Sequence, residues 1–190
     1  LSNAVRAIEP AIVRYAPDGA WYEGASYWEL TTQYTVKILS GLQTVFGTAY
    51  GLHRLQGLGT AARYELAMQS PYGIYSYGDS LEGTKVFSPE MFYIASRYND
   101  PLVAQSVLEF SKGVFATGEQ LAMSLLWYDV NSASTNEALP LDKYVERDGV
   151  ITMRDSWDAT EQNFVGIHAG PTNTDHAIWT AAALCSTAWV

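Results

Sequence analysis

The chain has 190 residues, of which 48% are hydrophobic and 16% are charged, a composition that excludes a disordered polypeptide. Its 11 Lys+Arg and 20 Asp+Glu residues give a formal net charge of -9, which argues against nucleic acid as a partner because phosphate binding requires a cationic surface. The single cysteine, Cys185, rules out an internal disulfide and a cysteine-rich metal site. No apolar window is long enough to predict a membrane span, and the first residues lack the pattern of a signal peptide.

Residues 1–139 are predicted to be mainly helical. The first long helix is predicted over 27–46, because its apolar residues recur at helical spacing on one face: Leu30, Tyr34, Ile38, Leu42 and Val45. A second helix is predicted over 52–68, although Gly57 and Gly59 weaken it.

Residues 70–80 are predicted to form a long aromatic loop, rich in tyrosine and glycine. Ser88 and Pro89 then predict a helix start, with serine as the N-cap and proline in the first turn. Similar signals predict helices over 101–113 and 118–128. Short helices joined by Gly/Pro turns are typical of stacked helical hairpins, as in toroids and solenoids.

The pattern changes near residues 139–140, after which strands are predicted over 143–146, 150–155 and 164–169. Arg147, Asp148 and Gly149 form a hairpin-turn signal between the first two. Because three strands do not make a stable sandwich, we expect residues 140–190 to pack poorly on a helical part that holds the only substantial core.

The last fourteen residues differ from the rest of the chain. They carry no charge, glycine or proline, yet contain the only cysteine and two of the 6 Trp residues. The run Ala181-Ala182-Ala183 fits neither strand nor turn chemistry. A short terminal helix or strand is one interpretation, and a tail foreign to the protein is the other.

Three segments together indicate a family. They are residues 18–28 (Asp-Gly-Ala-Trp-Tyr-Glu-Gly-Ala-Ser-Tyr-Trp), residues 75–80 (Tyr-Ser-Tyr-Gly-Asp-Ser) and residues 150–157 (Val-Ile-Thr-Met-Arg-Asp-Ser-Trp). In this order the chain resembles the heparinase II/III-like polysaccharide lyases over most of residues 17–176. The resemblance implies an α+β multidomain fold, in which part of an (α/α) toroid (1–139) precedes the first strands of an antiparallel β-sandwich (140–176).

The same resemblance offers an explanation of residues 177–190. The family's sandwich carries a motif of the type His-x-His-x-Asp-x-Gly-Ser-Phe, which here stops after His176. Synonymous codons can be chosen so that one G restored after the His176 codon gives His-Gly-His-Leu-Asp-Ser-Gly-Ser-Phe. The motif aspartate is forced by the pair Trp179-Thr180, whatever codons are used. We therefore predict that residues 177–190 are a frameshifted or non-native tail.

The resemblance implies cleavage of 4-linked uronic acids by β-elimination, which requires a neutralised carboxylate, removal of the C5 proton and protonation of the leaving O4. It makes Tyr27, or the nearby Tyr22, the catalytic tyrosine and His176 the assisting histidine. A structural role as a packed aromatic is the alternative for Tyr27. Substrate-binding roles are predicted for a set around this tyrosine: Trp21, Tyr22, Glu23, Tyr77, Asp79 and Arg154.

Other interpretations stay open. Glu23 and Asp79 could be the two carboxylates of a toroid glycoside hydrolase, or the chain could be a non-catalytic carbohydrate-binding piece. Asp79 could instead cap a turn, and Arg154 could pair with Asp155 or Asp158. His53 and His168 are interpreted as structural.

By the same resemblance, the expected partner is an acidic polysaccharide such as alginate or a glycosaminoglycan, and the parent is expected to be periplasmic or secreted. No cofactor is expected. A structural divalent metal such as zinc occurs in some members, but here Ala177-Ile178 stands where the second motif histidine would be. We expect the 190-residue chain to be inactive and the parent to be a lyase.

Overall fold

A computed structural model describes residues 2–71, 73–80, 88–111, 118–131, 135–158, 162–170 and 182–186. The fold is mixed α+β, with helices followed by an antiparallel sheet, as predicted. The helices are α1 (Ser2–Ile12), α2 (Ala25–Phe46), α3 (Ala61–Ala67), α4 (Glu90–Tyr98), α5 (Pro101–Ser111) and α6 (Gly118–Trp127). No helix among the described residues is long and apolar enough to cross a bilayer.

Helix α2 confirms the predicted helix and turns the predicted apolar stripe outward. The stripe residues Leu30, Tyr34 and Val45 are 48%, 60% and 71% exposed. The buried face instead contains Trp28, Thr32, Thr35, Val36 and Leu39. Polar residues on this face can be buried because they form hydrogen bonds. For example, the hydroxyls of Tyr15 and Thr32 lie 2.8 Å apart.

The helix predicted over 52–68 is broken, and only its last part is α-helical. Two 3₁₀ turns, Leu52–Arg54 and Leu58–Thr60, precede α3. Gly57 between them has φ +96°, and a Cβ there would overlap the backbone of Tyr15. The chain therefore needs glycine at this turn, and the helix can begin only after it.

The aromatic loop starts with a minimal hairpin of β1 (Gln69–Ser70) and β2 (Gly73–Ile74). Helices α4, α5 and α6 begin close to the predicted positions. Ser88 does not cap α4 with its side chain, since its hydroxyl donates to the Glu90 carboxylate at 2.6 Å.

The sheet has the strand order β3 (Asp142–Val145), β4 (Val150–Arg154), β5 (Asn163–His168) and β6 (Ala182–Ser186), and every pairing is antiparallel. The first three strands and the turn at 147–149 confirm the sequence prediction. Strand β6 lies in the predicted foreign tail, and it pairs Cys185 with Phe164 and Ala182 with Ile167. The expectation that the alanine run does not fit a strand is therefore wrong for Ala182 and Ala183.

The sheet shares the core of the helices. Val145, Val150 and Phe164 are almost fully buried and belong to the same hydrophobic cluster as Trp28 and Leu39. The expectation that residues 140–190 pack poorly on the helices is wrong for β3, β4 and β5, which each place a residue in this cluster. The physical reason is that one sheet face is covered by the helical part and its aromatic loop. The opposite face carries Ile151, Met153, Val165 and Ile167 and is only partly buried.

Contact between the loop and the sheet is close at β5. The ring of Tyr75 lies 6.0 Å from that of Phe164, and a Cβ on Gly166 would approach the Tyr75 ring to 2.5 Å. A glycine on this strand therefore lets the aromatic loop lie directly on the sheet.

Candidate functional site

The structure brings two of the three motif segments together. The backbone N–H of Asp79 donates to the carbonyl of Glu23 at 3.0 Å. The Ser80 hydroxyl accepts the N–H of Ser26 at 3.0 Å and lies 3.0 Å from the Ser26 hydroxyl. Since Ser26 stands in the first turn of α2, Ser80 satisfies a backbone donor that the helix itself leaves without a partner.

Glycine allows this close approach of the two loops. Gly24 has φ +91°, and a Cβ there would overlap the carbonyl oxygen of Tyr77 and lie 2.6 Å from the Ser80 Cβ. Gly78 has φ +60° and faces the backbone of Tyr22 and Glu23 in the same way. Glycine is therefore needed in both motifs for a structural reason, because it lets residues 21–27 and 75–80 pack backbone to backbone.

Tyr27 opens onto a pocket beside this junction. The pocket has a volume of about 420 Å³ and is lined by Ser26, Tyr27, Glu29, Leu30 and Gln33. Tyr27 is 38% exposed, and its hydroxyl makes no hydrogen bond with the part of the chain that the structure describes. A tyrosine hydroxyl that is accessible and not engaged by the protein can meet a ligand.

Glu29 is a lining residue that sequence reasoning missed. Burial, followed by the negative charge of Glu90, raises its pKa to about 7, so a substantial fraction of this carboxyl is protonated near neutral pH. Neither Lys nor Arg forms an ion pair with it among the described residues. The sequence feature that could have identified Glu29 is its spacing, because Ser26, Glu29 and Gln33 recur at helical intervals and share a face.

Two predicted substrate-binding aromatics, Trp21 and Tyr22, lie next to the pocket segment in a packed arrangement. Trp21 is 6% exposed, and its indole N–H donates to the Glu23 carboxylate at 2.8 Å. Tyr22 is half-buried, with its ring 5.7 Å from that of Trp21 and the Arg14 guanidinium 5.5 Å above it. Only part of this pair is left for a ligand to contact.

Tyr77 lies inside the junction between the helices and the sheet. It is 2% exposed, and its hydroxyl is 2.6 Å from that of Tyr64, 3.0 Å from the Trp21 carbonyl and 3.3 Å from the Asp148 carboxylate. The His168 ring lies 4.9 Å from the Tyr77 ring. This position gives Tyr77 a structural role and leaves little of it for substrate.

The buried carboxyl at this junction belongs to Asp148, whose pKa is raised to about 6, chiefly by burial. The Tyr77 hydroxyl has one proton, so it cannot donate fully to both the Trp21 carbonyl and Asp148. A protonated Asp148 can itself donate to Tyr77, which completes the hydrogen bonds of this cluster. Sequence reasoning treated residues 147–149 only as a turn, and nothing local pointed to this contact.

Arg154 joins the sheet to α3. Its guanidinium is buried and donates to the carbonyls of Ala67 at 2.6 Å and Gln69 at 2.9 Å. The Trp157 ring lies 3.6 Å from it. The alternative pairing with Asp155 or Asp158 is not observed, since the partners are the carbonyls of Ala67, at the end of α3, and Gln69, in β1. With these partners, Arg154 is not placed to bind a uronate in the Tyr27 pocket.

The remaining expectations concern His176 and a metal site. His176 lies outside the described residues. Within the described residues, no group of three His, Cys, Asp or Glu side chains could hold a metal ion.

Comparison with known proteins adds no assignment. No protein-family profile matches the chain, and no curated protein matches it significantly. The heparinase II/III-like resemblance therefore rests on the three motif segments and on their order.

Proposed function

We propose that this chain is part of a polysaccharide lyase that cleaves 4-linked uronic acids by β-elimination, with Tyr27 as the proton donor. The observation that carries the proposal is the Tyr27 pocket at the start of α2. There Tyr27, which is 38% exposed, and Glu29, whose carboxyl has a raised pKa, line the same pocket. The finer architecture, part of an (α/α) toroid followed by a β-sandwich, and a periplasmic or secreted location belong to the same proposal.

The chemistry follows from what β-elimination requires. A base removes the C5 proton, the electron pair forms the C4–C5 double bond, and the C4–O4 bond breaks as O4 takes a proton. Tyr27 supplies that proton. A protonated Glu29 and the Gln33 amide, both lining the pocket, can donate hydrogen bonds to the uronate carboxylate and stabilise the charge that develops on it. His176 is proposed as the assisting base.

A glycoside hydrolase is the second candidate, because one contact favours it. The hydrogen bond from Asp79 N–H to the Glu23 carbonyl at 3.0 Å holds two carboxylate-bearing residues in adjacent loops, and hydrolases use a carboxylate pair. The Glu23 carboxylate already accepts a hydrogen bond from the Trp21 indole, so one of its oxygens is engaged by the protein. We therefore place the lyase first.

The deciding experiment measures the product. Sequencing of the coding DNA establishes the reading frame after His176, and the restored gene product and the 190-residue chain are then incubated with alginate, heparin and polygalacturonate. A lyase product absorbs ultraviolet light through its new double bond, whereas a hydrolase product has reducing ends without that absorbance. We expect absorbance from the restored product only. Reducing ends alone would move the assignment to a hydrolase, and no product on any polymer would refute both.

A matched pair of substitutions tests the residue. Tyr27→Phe removes the hydroxyl and should lower the elimination rate at least about a hundredfold, since a positioned acid or base contributes about 10²–10⁴, while binding is retained. Tyr34→Phe is the control, because Tyr34 stands on the same exposed stripe, 60% exposed, and outside the pocket. An undiminished rate in Tyr27→Phe would refute the role of Tyr27.

A further inference from the structure

A second cleft lies away from Tyr27 and has a different chemistry. Its volume is about 620 Å³, and it is formed by the two 3₁₀ turns that precede α3 and by the end of α4. It shares no lining residue with the Tyr27 pocket. Its lining includes His53, Arg54, Gly57, Gly59 and Arg97.

The frame of the cleft is well defined. Gly57 has a positive φ and lies so close to the Tyr15 backbone that no side chain would fit there. A Cβ on Gly59 would lie 3.0 Å from the ring of Tyr98, so that ring packs against the turn. The Tyr98 hydroxyl also donates to the His53 carbonyl. These contacts hold the end of α4 and the 3₁₀ turns in a fixed relation.

The cleft is lined by two arginines although the chain carries a net charge of -9. Arg54 and Arg97 are exposed and line it. Among the described residues, neither forms an ion pair, whereas Arg63 binds Asp100 and Lys37 binds Glu119. Two arginines therefore line one cleft, and in the described part of the chain no carboxylate forms an ion pair with either of them.

His53 adds a third nitrogen group. Its Nδ1 atom is buried and has no hydrogen-bond partner within the described part of the chain. Burial and the charges of Arg97 and Arg54 lower its pKa. An anion placed between these groups would reduce their mutual repulsion.

We propose that this cleft binds an oxyanion through Arg54 and Arg97, carried either on a free inorganic ion or on an acidic saccharide. A guanidinium presents paired N–H donors that match the oxygens of a carboxylate or a sulfate. The site does not depend on the lyase assignment, because none of its residues takes part in the proposed elimination.

The test uses the 190-residue chain and two probes, inorganic sulfate and a galacturonate trisaccharide, in titration calorimetry at low salt. Binding of sulfate alone would identify a free-ion site, and tighter binding of the trisaccharide would identify a saccharide site. Both outcomes support the proposal, with a Kd that rises as sodium chloride is added because exposed charges are screened. In amide NMR spectra, the signals of Gly57 and Gly59 should shift.

Charge-matched variants locate the site. Arg54→Gln and Arg97→Gln should each raise Kd about threefold, and the double variant about tenfold, as expected for exposed charge pairs. Arg6→Gln is the control, because Arg6 is exposed and lies outside the cleft, and it should leave Kd unchanged. Circular dichroism checks that each variant is folded. The proposal is overturned if neither probe binds, or if Arg6→Gln weakens binding as much as the cleft variants do.

Discussion

Two tyrosines from neighbouring motif segments have opposite surroundings. Tyr27 stands on the outer face of α2, 38% exposed, whereas Tyr77 is 2% exposed at the junction of helices and sheet. Their segments are joined by hydrogen bonds between residues 23 and 79 and between residues 26 and 80. The same residue type in two adjacent motifs is therefore divided between a pocket and the scaffold that supports it.

Each tyrosine also has a carboxyl of raised pKa in its region. Glu29 lines the pocket of Tyr27 with a pKa of about 7, and Asp148 lies beside Tyr77 with a pKa of about 6. Burial is the main cause in both cases. The comparison teaches that a perturbed carboxyl does not by itself mark a functional site; access from solvent separates the two regions.

The largest expected effect tests whether the buried junction unites helices and sheet. Phe164→Ala should lower the free energy of unfolding by about 3–5 kcal/mol, because it leaves a cavity in the shared core. Val45→Ala is the control at an exposed position, with an expected change within about 0.5 kcal/mol. Denaturant unfolding followed by far-ultraviolet circular dichroism and tryptophan fluorescence should give one common transition. Two separate transitions would show that the sheet is an independent unit.

The second effect concerns pH. The folded pKa of Asp148 is raised from 3.8 to about 6, so between these pH values the folded state binds more protons than the unfolded chain. The contribution of Asp148 to stability is therefore greatest below about pH 4 and falls as pH rises to about 6, by about 3 kcal/mol at most.

Comparison with Asp148→Asn isolates this contribution, because the variant cannot ionise there. Between about pH 4 and pH 7.5, the wild type should lose about 2–3 kcal/mol relative to the variant in urea unfolding. Asp158→Asn, at an exposed position, should follow the wild type. Equal pH dependence in wild type and Asp148→Asn would show that the folded pKa of Asp148 is not raised.

The smallest effect compares the two tyrosines directly. Tyr77→Phe should cost about 2 kcal/mol of stability, because the buried Tyr64 hydroxyl and the Trp21 carbonyl lose a partner. Tyr27→Phe should change stability by less than about 0.5 kcal/mol. Thermal unfolding of both variants gives the answer. Equal losses of stability in the two variants would show that the Tyr27 hydroxyl is as important to the fold as the Tyr77 hydroxyl.

Local patterns predicted much of the element list. The helices at α2, α4, α5 and α6 and the first three strands of the sheet follow from periodicity, turn residues and helix-start signals that act over a few residues. Tyr27 was singled out by its motif, whereas the contact between residues 18–28 and 75–80 was seen only in the structure. The glycines at 57 and 59 weakened the predicted helix over 52–68 but did not predict the break. The need for glycine at position 57 comes from the Tyr15 backbone, which is distant in the sequence.

The amino-acid order decides where most of the described helices and strands form in this protein, since turn residues and apolar spacing act between near neighbours. Tertiary packing decides which face of α2 is buried, that Arg154 binds the end of α3 and that Asp148 meets Tyr77 across 71 residues. Those outcomes depend on contacts between segments far apart in the chain. The sequence pattern of one helix cannot predict which of its faces another element will cover.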